Sequence, residues 1–559
     1  MAVAVTAAAA VILVVFVYGD RGGGLERTQQ QPYRSAFHFQ PHKNWMNGPM
    51  YYKGVYHLFY QYNPYGAKWG NITWAHSVSH NLIHWIHLPH AIQPSHPFDI
   101  QGCFSGSATI LASHHHHHKP LILYTGLSST NQQVQNLATP KNMSDPFLIE
   151  WDKSSHNPLM TPPVGIINPN SFRDPTTGWR GADNTWRVVI GGEIDGHGAA
   201  VLYKSDDFVT WERAHSPLHS SNKTNMWECP DFYPVRVHGK KGIATSTNGG
   251  VGIKHVLKAS FHDHDYYILG TYDTKTDRFN VTVDFMDDKV QLRYDYGLFY
   301  ASKSFYDPGK KRRLLWGWVT EADSEANQVK RGWSGLQSMV RSVSLHKTKK
   351  QLIQWPVKEV EKLRRKKVSM KNKELVNNSV IEVEGISASQ ADVEVSFHLP
   401  NLEGVELINE NMKTDSQLLC RRMNASVGGK TGPFGLLVLA SKNLTEQTAI
   451  FFRVFKIGGK YAVLMCSDQS RSSVETPVKE PIFGAFVDID PSRGISLRTL
   501  IDHSIVESFG GRGVTCITAR VYPKLAIAGN SHIHVFNNGE KNVVVSTLRA
   551  WSMEKAHIG

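Results

Sequence analysis

Trp74-Ala75-His76-Ser77-Val78-Ser79-His80-Asn81-Leu82-Ile83-His84-Trp85 carries a skeleton that the chain repeats at Val201-Leu202-Tyr203-Lys204-Ser205-Asp206-Asp207-Phe208-Val209-Thr210-Trp211. Each copy is a strand-forming run, a polar turn built on Ser with Asn or Asp, and a closing tryptophan. Ser205 follows Ser79 at the same separation as Trp211 follows Trp85. Leu298-Phe299-Tyr300-Ala301-Ser302-Lys303-Ser304-Phe305 reads as a third, partial copy. A strand–turn–Trp unit cannot bury both faces alone, so repeated units must stack on one another as propeller blades do. Outward from these copies, residues 33–345 are short aromatic-rich strands, such as Gly54–Tyr60 and Trp186–Ile190, parted by Gly, Pro, Asn and Asp turns. Long helical periodicity is absent, so this half is predicted to be all-β.

With 559 residues the chain exceeds what one core serves, and a second domain is expected. Gln351 to Arg364 has helix-like apolar spacing, and residues 346–377 read as a linker. Over 378–559, alternating runs such as Ser379–Glu384, Val393–His398 and Val543–Trp551 predict a β-sandwich. Hydrophobic content of 41% excludes a disordered chain. The net charge of +13 asks for an acidic partner. The basic residues are scattered, and the one dense run, Lys362 to Lys367, falls in the linker, so nucleic acid is not expected; an acidic wall polysaccharide fits the balance.

Ala2 to Val17 is apolar apart from Thr6 and ends at Gly19-Asp20-Arg21-Gly22. That is short for a bilayer span of roughly 20 residues, so 1–24 reads as a secretory signal, and no other segment is long enough for a membrane. Acceptor patterns for N-glycosylation at Asn71, Asn142, Asn222, Asn280, Asn377, Asn424 and Asn443 agree with secretion. Five cysteines are too few for a disulfide scaffold; Cys420 and Cys466 lie in one region and can pair, while Cys103, Cys229 and Cys516 read as buried thiols without metal-ligand spacing.

The chemistry starts at Met226-Trp227-Glu228-Cys229-Pro230-Asp231-Phe232. A glutamate between an indole and a thiol is expected to be poorly hydrated and held neutral, as a general acid requires; a buried glutamate satisfied by backbone donors is the plainer alternative. Three other features are set aside. The run His114 to His118 reads as a hairpin tip, with no carboxylate or cysteine to complete a metal site. Asp502-His503-Ser504 looks like a triad, but neighbours on a strand point to opposite faces, so His503 is expected to face neither partner. Asn248 to Gly252 lacks the Lys-Ser/Thr of a phosphate loop.

Further stretches stand beside the glutamate: His38 to Pro64 with Trp45-Met46-Asn47-Gly48-Pro49, Ser171-Phe172-Arg173-Asp174-Pro175, Lys68-Trp69-Gly70-Asn71-Ile72-Thr73-Trp74, Gly102-Cys103-Phe104-Ser105-Gly106-Ser107, Gln354-Trp355-Pro356-Val357 and Ile501 to Gly511. Together they resemble the plant acid invertases and fructan exohydrolases of glycoside hydrolase family 32, from about Tyr33 to the C-terminus. The resemblance implies a five-bladed β-propeller with a funnel-shaped site, followed by a β-sandwich. It implies a secreted, cell-wall (apoplastic) enzyme that hydrolyses terminal β-fructofuranosides, sucrose or fructans, with retention, no metal and no cofactor. Retaining chemistry sets a nucleophilic carboxylate roughly 5–5.5 Å from the acid/base. Carried over by motif, Glu228 is the acid/base, Asp174 holds fructosyl hydroxyls and stabilises the oxocarbenium-like state, and Arg173 tunes the carboxylates. Trp45, Asn47, Gln61, Trp69, Phe104 and Ser105 join them around the fructose. Trp74 and Trp85 read instead as blade packing.

Two departures matter. The family's first motif is Trp-Met-Asn-Asp-Pro-Asn-Gly-Pro and its aspartate is the nucleophile; here Asn47 runs directly into Gly48-Pro49, and no Asp or Glu occurs between Glu26 and Asp99. In plant members a very small exon encodes those residues, so the genomic locus is expected to hold it between the Asn47 and Gly48 codons. Without the aspartate, a sugar-binding protein with no catalysis is the competing reading. Secondly, Leu257-Lys258-Ala259-Ser260 is followed by Phe261-His262-Asp263-His264, shorter than in invertases, with His262 where their aspartate holds the glucose half of sucrose. That resembles the fructan exohydrolases.

Overall fold

The computed structural model describes residues 31–41, 47–112, 118–247, 249–287 and 291–559. The expected signal at 1–24, Trp45, Asn248 and the histidines before His118 lie outside the described residues.

Five antiparallel sheets of four to six strands follow one another, and two six-stranded sheets complete the chain. The first strands of the five sheets are Asn47–Tyr52, Gly102–Ala112, Ile167–Arg173, Glu228–Arg236 and Tyr300–Asp307. Each blade packs on the next, the third meeting the fourth through its strand Trp186–Ile194, and the fifth returns against the first, which closes a five-bladed propeller. Closure leaves no bare edge at the axis and puts one end of every first strand around one mouth.

The repeated motif is the turn from the third to the fourth strand of a blade. Ser79 Oγ accepts the Leu82 N–H at 2.8 Å, and Asn81 Oδ1 accepts the Ile83 and His84 N–H groups. In the third blade Ser205 Oγ accepts the Phe208 N–H at 2.8 Å, and Asp207 Oδ1 accepts those of Val209 and Thr210. Side-chain oxygens thus replace ladder partners, as Ser, Asn and Asp do at turns. Leu82 and Phe208 both adopt φ 67°, each three residues before a buried tryptophan. The proposed third copy is a coincidence of letters: Tyr300–Asp307 is a first strand. The true third copy lies in the second blade, where Asp145 takes the serine's place, Leu148 has φ 48° and Trp151 closes the turn.

The first strands are interrupted near the mouth by register shifts at Asn47/Pro49, Cys103/Gly106, Glu228/Asp231 and Tyr300/Lys303. A bulge frees one residue from the ladder and re-aims its neighbours. Gly106 is required there, since a Cβ would lie 2.0 Å from the Leu123 carbonyl oxygen.

The expected linker at 346–377 is corrected. Leu352–Pro356 is the last strand of the fifth blade, Lys358–Leu363 is a 3₁₀ turn, and Arg364–Leu375 is already an edge strand of the sandwich. The apparent helical spacing is a period of two followed by a period of three: Leu352, Gln354 and Pro356 are buried in the strand, then Val357, Val360 and Leu363 in the 3₁₀ turn. Cys420 and Cys466 form a disulfide, and Cys103, Cys229 and Cys516 are buried free thiols.

The two domains are clasped by buried charge. His38 Nδ1 lies 2.9 Å from Asp502 and Nε2 3.0 Å from Glu507, which also binds Arg341 Nη2 at 2.8 Å; the same nitrogen lies 2.8 Å from Asp295. Asp502 takes the N–H groups of Ala36, Phe37 and His38 as well. Burial pushes the His38 imidazole down, but the two carboxylates outweigh it and hold its pKa up at about 9. His38→Ala takes one partner from each carboxylate, leaving Glu507 with Arg341 and Asp502 with its backbone donors, and is expected to remove about 2–3 kcal/mol of stability. Because the folded pKa exceeds the unfolded value of 6.5, that stabilisation is complete below pH 6.5 and fades as pH rises through about 9. Thermal melts from pH 6 to 10 check it: the difference between parent and variant should shrink across that window.

His503 is also corrected. It sits in a turn at φ 56°, not on a strand, and its Nδ1 lies 3.0 Å from Asp502. Ser504 donates instead to the Tyr33 carbonyl, so the three residues form a clamp on the N-terminal segment rather than a triad.

Candidate active site

The mouth of the propeller is built from bulges and left-handed residues. Asp174 follows its strand at φ 68° and Cys229 follows Glu228 at φ 45°. Such backbone is costly outside glycine and persists only where surroundings enforce it. Here the second blade fixes the third: Thr125 Oγ1 accepts the Asp174 N–H at 2.8 Å, and Gln133 Oε1 accepts both the Phe172 N–H and Arg173 Nη1. Buried Lys258 fixes the fourth and fifth, donating to the carbonyls of Cys229 (3.0 Å) and Ser302 (2.9 Å) with Asp265 at 3.2 Å as its counter-ion. Buried Lys303 donates to the Pro230 carbonyl at 3.0 Å.

This backbone brings Arg173, Asp174 and Glu228 together. Arg173 Nη2 is ion-paired with Glu228 Oε1, and its Nε is 3.9 Å from Asp174 Oδ2. Burial lowers the Arg173 pKa, and the charges of Asp174 and Glu228 more than reverse this. Asp174 Oδ2 accepts the Cys229 N–H at 2.8 Å, with the Cys229 thiol at 3.4 Å. Burial and then the Asp174 charge push that thiol's pKa well up, so it stays a donor. Tyr300 donates to Glu228 Oε2 at 2.5 Å, and burial followed by the Glu228 charge raises its pKa too.

The expected shelter of Glu228 between Trp227 and Cys229 is corrected. Successive side chains on a strand face opposite ways: Trp227 is fully buried, edge-on to Phe285, while the Glu228 side chain is 32% exposed and meets Arg173 and Tyr300. The carboxylate is oriented by two donors rather than shielded by apolar neighbours.

On the first two blades, Gln61 Nε2 donates to Ser105 Oγ at 3.0 Å, and Trp69 lies edge-on to Phe104 with centroids 5.3 Å apart. Trp69 is 60% exposed, and Trp74, fully buried, ties its Nε1 to the Phe104 carbonyl at 2.9 Å. Asn47 is placed by its backbone, which pairs with Phe59 at the start of the first blade. Glycosylation candidates Asn71, Asn142, Asn222, Asn280, Asn377 and Asn443 are exposed, whereas Asn424 is half-buried. Among the described residues, no group of three His, Cys, Asp or Glu side chains is placed to hold a metal.

Residues 38–356 match the glycosyl hydrolases family 32 N-terminal domain, and 359–552 match the family's C-terminal domain. The chain belongs to glycosyl hydrolase family 32. Within the family it is 56% identical over 540 residues to the insoluble β-fructofuranosidase isoenzyme CWINV1 of Arabidopsis thaliana, covering 94% of this chain and 92% of that one. It is 51% identical to a fructan 6-exohydrolase of Beta vulgaris, over 94% and 88% of the two chains. The crystal structure of fructan 1-exohydrolase IIa from Cichorium intybus superposes with a TM-score of 0.91 at 52% identity, covering 94% of this chain and 98% of that one. This chain is therefore a family 32 glycoside hydrolase related to plant β-fructofuranosidases and fructan exohydrolases.

Sequence reasoning missed Tyr300, Thr125, Gln133 and the two buried lysines. One of the lysines could have been found: Lys258 stands between apolar Leu257 and Ala259 in a strand-forming run, and a buried lysine demands partners.

Proposed function

We propose that the chain is a β-fructofuranosidase of the acid invertase type, secreted to the cell wall, acting on terminal β-D-fructofuranosides such as sucrose or fructans. The observation that carries the reading is Glu228 held by Arg173 and Tyr300 beside Asp174, all at one mouth of the propeller. In the retaining reaction a carboxylate attacks the anomeric carbon while Glu228 gives its proton to the leaving oxygen; water then hydrolyses the ester with Glu228 as base. Asp174 would take fructosyl hydroxyls on the oxygen that Cys229 leaves free, and Gln61, Ser105, Trp69 and Phe104 would line the other side of the ring. The nucleophile itself is the aspartate missing between Asn47 and Gly48, so full activity needs that residue restored.

The substrate balance rests on one hairpin. His262 and Asp263, at φ 47° and 59°, make a two-residue tip between Phe261 and His264, one step beyond the Ser260–Glu228 pair. Two left-handed residues form the tightest hairpin turn, so this hairpin carries no longer loop that could reach over the funnel to hold a second sugar. With Asp-Pro-Asn restored, inulin-type fructans are expected to be turned over faster than sucrose at equal concentration. Fructose release from each, measured side by side, tests this; a clear preference for sucrose would overturn it.

A further inference from the structure

A long cleft runs along the seam between the fifth blade and the β-sandwich, made of two adjoining cavities of about 620 and 1040 Å³. It shares no lining residue with the Glu228 mouth. Both cavities are lined by Lys240, from the loop after Glu228–Arg236, and by Arg512, from the turn between Ile505–Gly510 and Thr515–Arg520. Both side chains are exposed, and neither makes an ion pair or hydrogen bond among the described residues. Lys358 in one cavity and Lys347 in the other are likewise exposed and unpaired.

The lining carboxylates do not neutralise these cations. Glu394 is taken by Arg364 and Arg549, and Asp490 by Ser492 and Arg493; Asp488 makes no ion pair or hydrogen bond among the described residues, and its charge acts on His346. Ser344, Ser396 and Ser496 line both cavities too, and their hydroxyls make no hydrogen bond among the described residues. Beyond Thr547, its ladder neighbour Lys371 carries the positive stripe onto the exposed edge strand. Arg312 and Arg498, which also line the first cavity, are already held in ion pairs and are not among these cations.

Unpaired cations and free hydroxyls lining one long groove match a polymer that carries both carboxylates and hydroxyls. We propose that this cleft binds an acidic polysaccharide of the uronate type, with Lys240 and Arg512 gripping successive carboxylates. A neutral glycan would leave the cations unanswered, and a lone small anion would leave most of the groove empty. The site deepens the cell-wall part of the function proposed above and is independent of its catalytic part, so the two can fail separately.

The test is binding of polygalacturonate to the full chain by titration calorimetry at low salt, where charge contacts are least screened. Lys240→Glu/Arg512→Glu is expected to weaken binding by about tenfold or more, and to flatten its salt dependence, since each contact releases counter-ions. Lys223→Glu/Lys442→Glu, which changes net charge equally on other surfaces, is expected to change it by less than about twofold. Lys240→Ala/Arg512→Ala should lie between them, and unchanged melting temperatures would show that all variants fold. Inulin should not compete. Equal weakening by the control pair would overturn the proposal in favour of diffuse charge. Competition by inulin would make the cleft a neutral-glycan site. Duplex DNA bound as tightly, through the same two residues, would remove its specificity for uronate.

Discussion

Inserting Asp-Pro-Asn between Asn47 and Gly48 is expected to raise the rate of fructose release by about 10⁴-fold, the scale on which losing one member of a catalytic set collapses turnover. Glycosyl-ester formation needs a carboxylate at the anomeric carbon, and residues 27–98, which build the whole first blade, contain none. Asp174 cannot move across to serve. It is 3% exposed, its N–H is fixed on Thr125, and one oxygen is held by Cys229. An amide at Asn47 is too weak a nucleophile to replace it. The insertion should be structurally tolerable because it falls at the register shift between Asn47 and Pro49, outside the unbroken pairing of Pro49 to Tyr52 with Leu58 to Val55. The measurement is fructose release from sucrose and from inulin by both chains, with the Asn variant of the inserted aspartate as control. Equal rates from parent and repaired chain would show that the nucleophile lies elsewhere; no release from either would favour a sugar-binding protein.

The propeller could be read from residues 74–85 and 201–211 because the turn depends on chemical identity. A hydroxyl and an amide or carboxylate oxygen must accept specific N–H groups, so Ser79/Ser205 and Asn81/Asp207 keep their spacing. The copy at Asp145–Trp151 escaped notice because one carboxylate there does the work of two side chains, accepting from Phe147 and Ile149. The connector was misread because Gln354 is a buried polar residue: its amide donates to the Tyr294 carbonyl, which hides the strand alternation and leaves a helix-like spacing of the apolar residues. Site motifs could be found because Glu228, Arg173 and Asp174 sit in short continuous stretches. Their supports could not, since Thr125, Gln133 and Tyr300 reach the site only through the stacking of blades. The environment of Glu228 was inferred from sequence neighbours, yet a bulged strand takes its environment from the blades beside it.

In the repaired chain, Glu228→Gln is expected to lower kcat by about 10²–10⁴-fold, the usual worth of a positioned general acid. The amide is nearly isosteric, and its oxygen can still accept from Arg173, so the melting temperature and KM should change little. The loss should depend on the leaving group. Fructose departing from a sugar hydroxyl needs the proton, whereas fructose departing from a phenol carrying electron-withdrawing groups does not, so the first step on an aryl fructoside should be nearly spared. Hydrolysis of the ester would then become limiting, because water loses its base in the same variant. A burst of phenol followed by slow turnover is the expected trace. The donors around Glu228 set a second condition: Tyr300→Phe removes one and leaves Arg173, so it should cost far less than Glu228→Gln while changing the pH profile. If Glu228→Gln slowed every substrate equally, without a burst, the residue would be binding fructose rather than moving a proton.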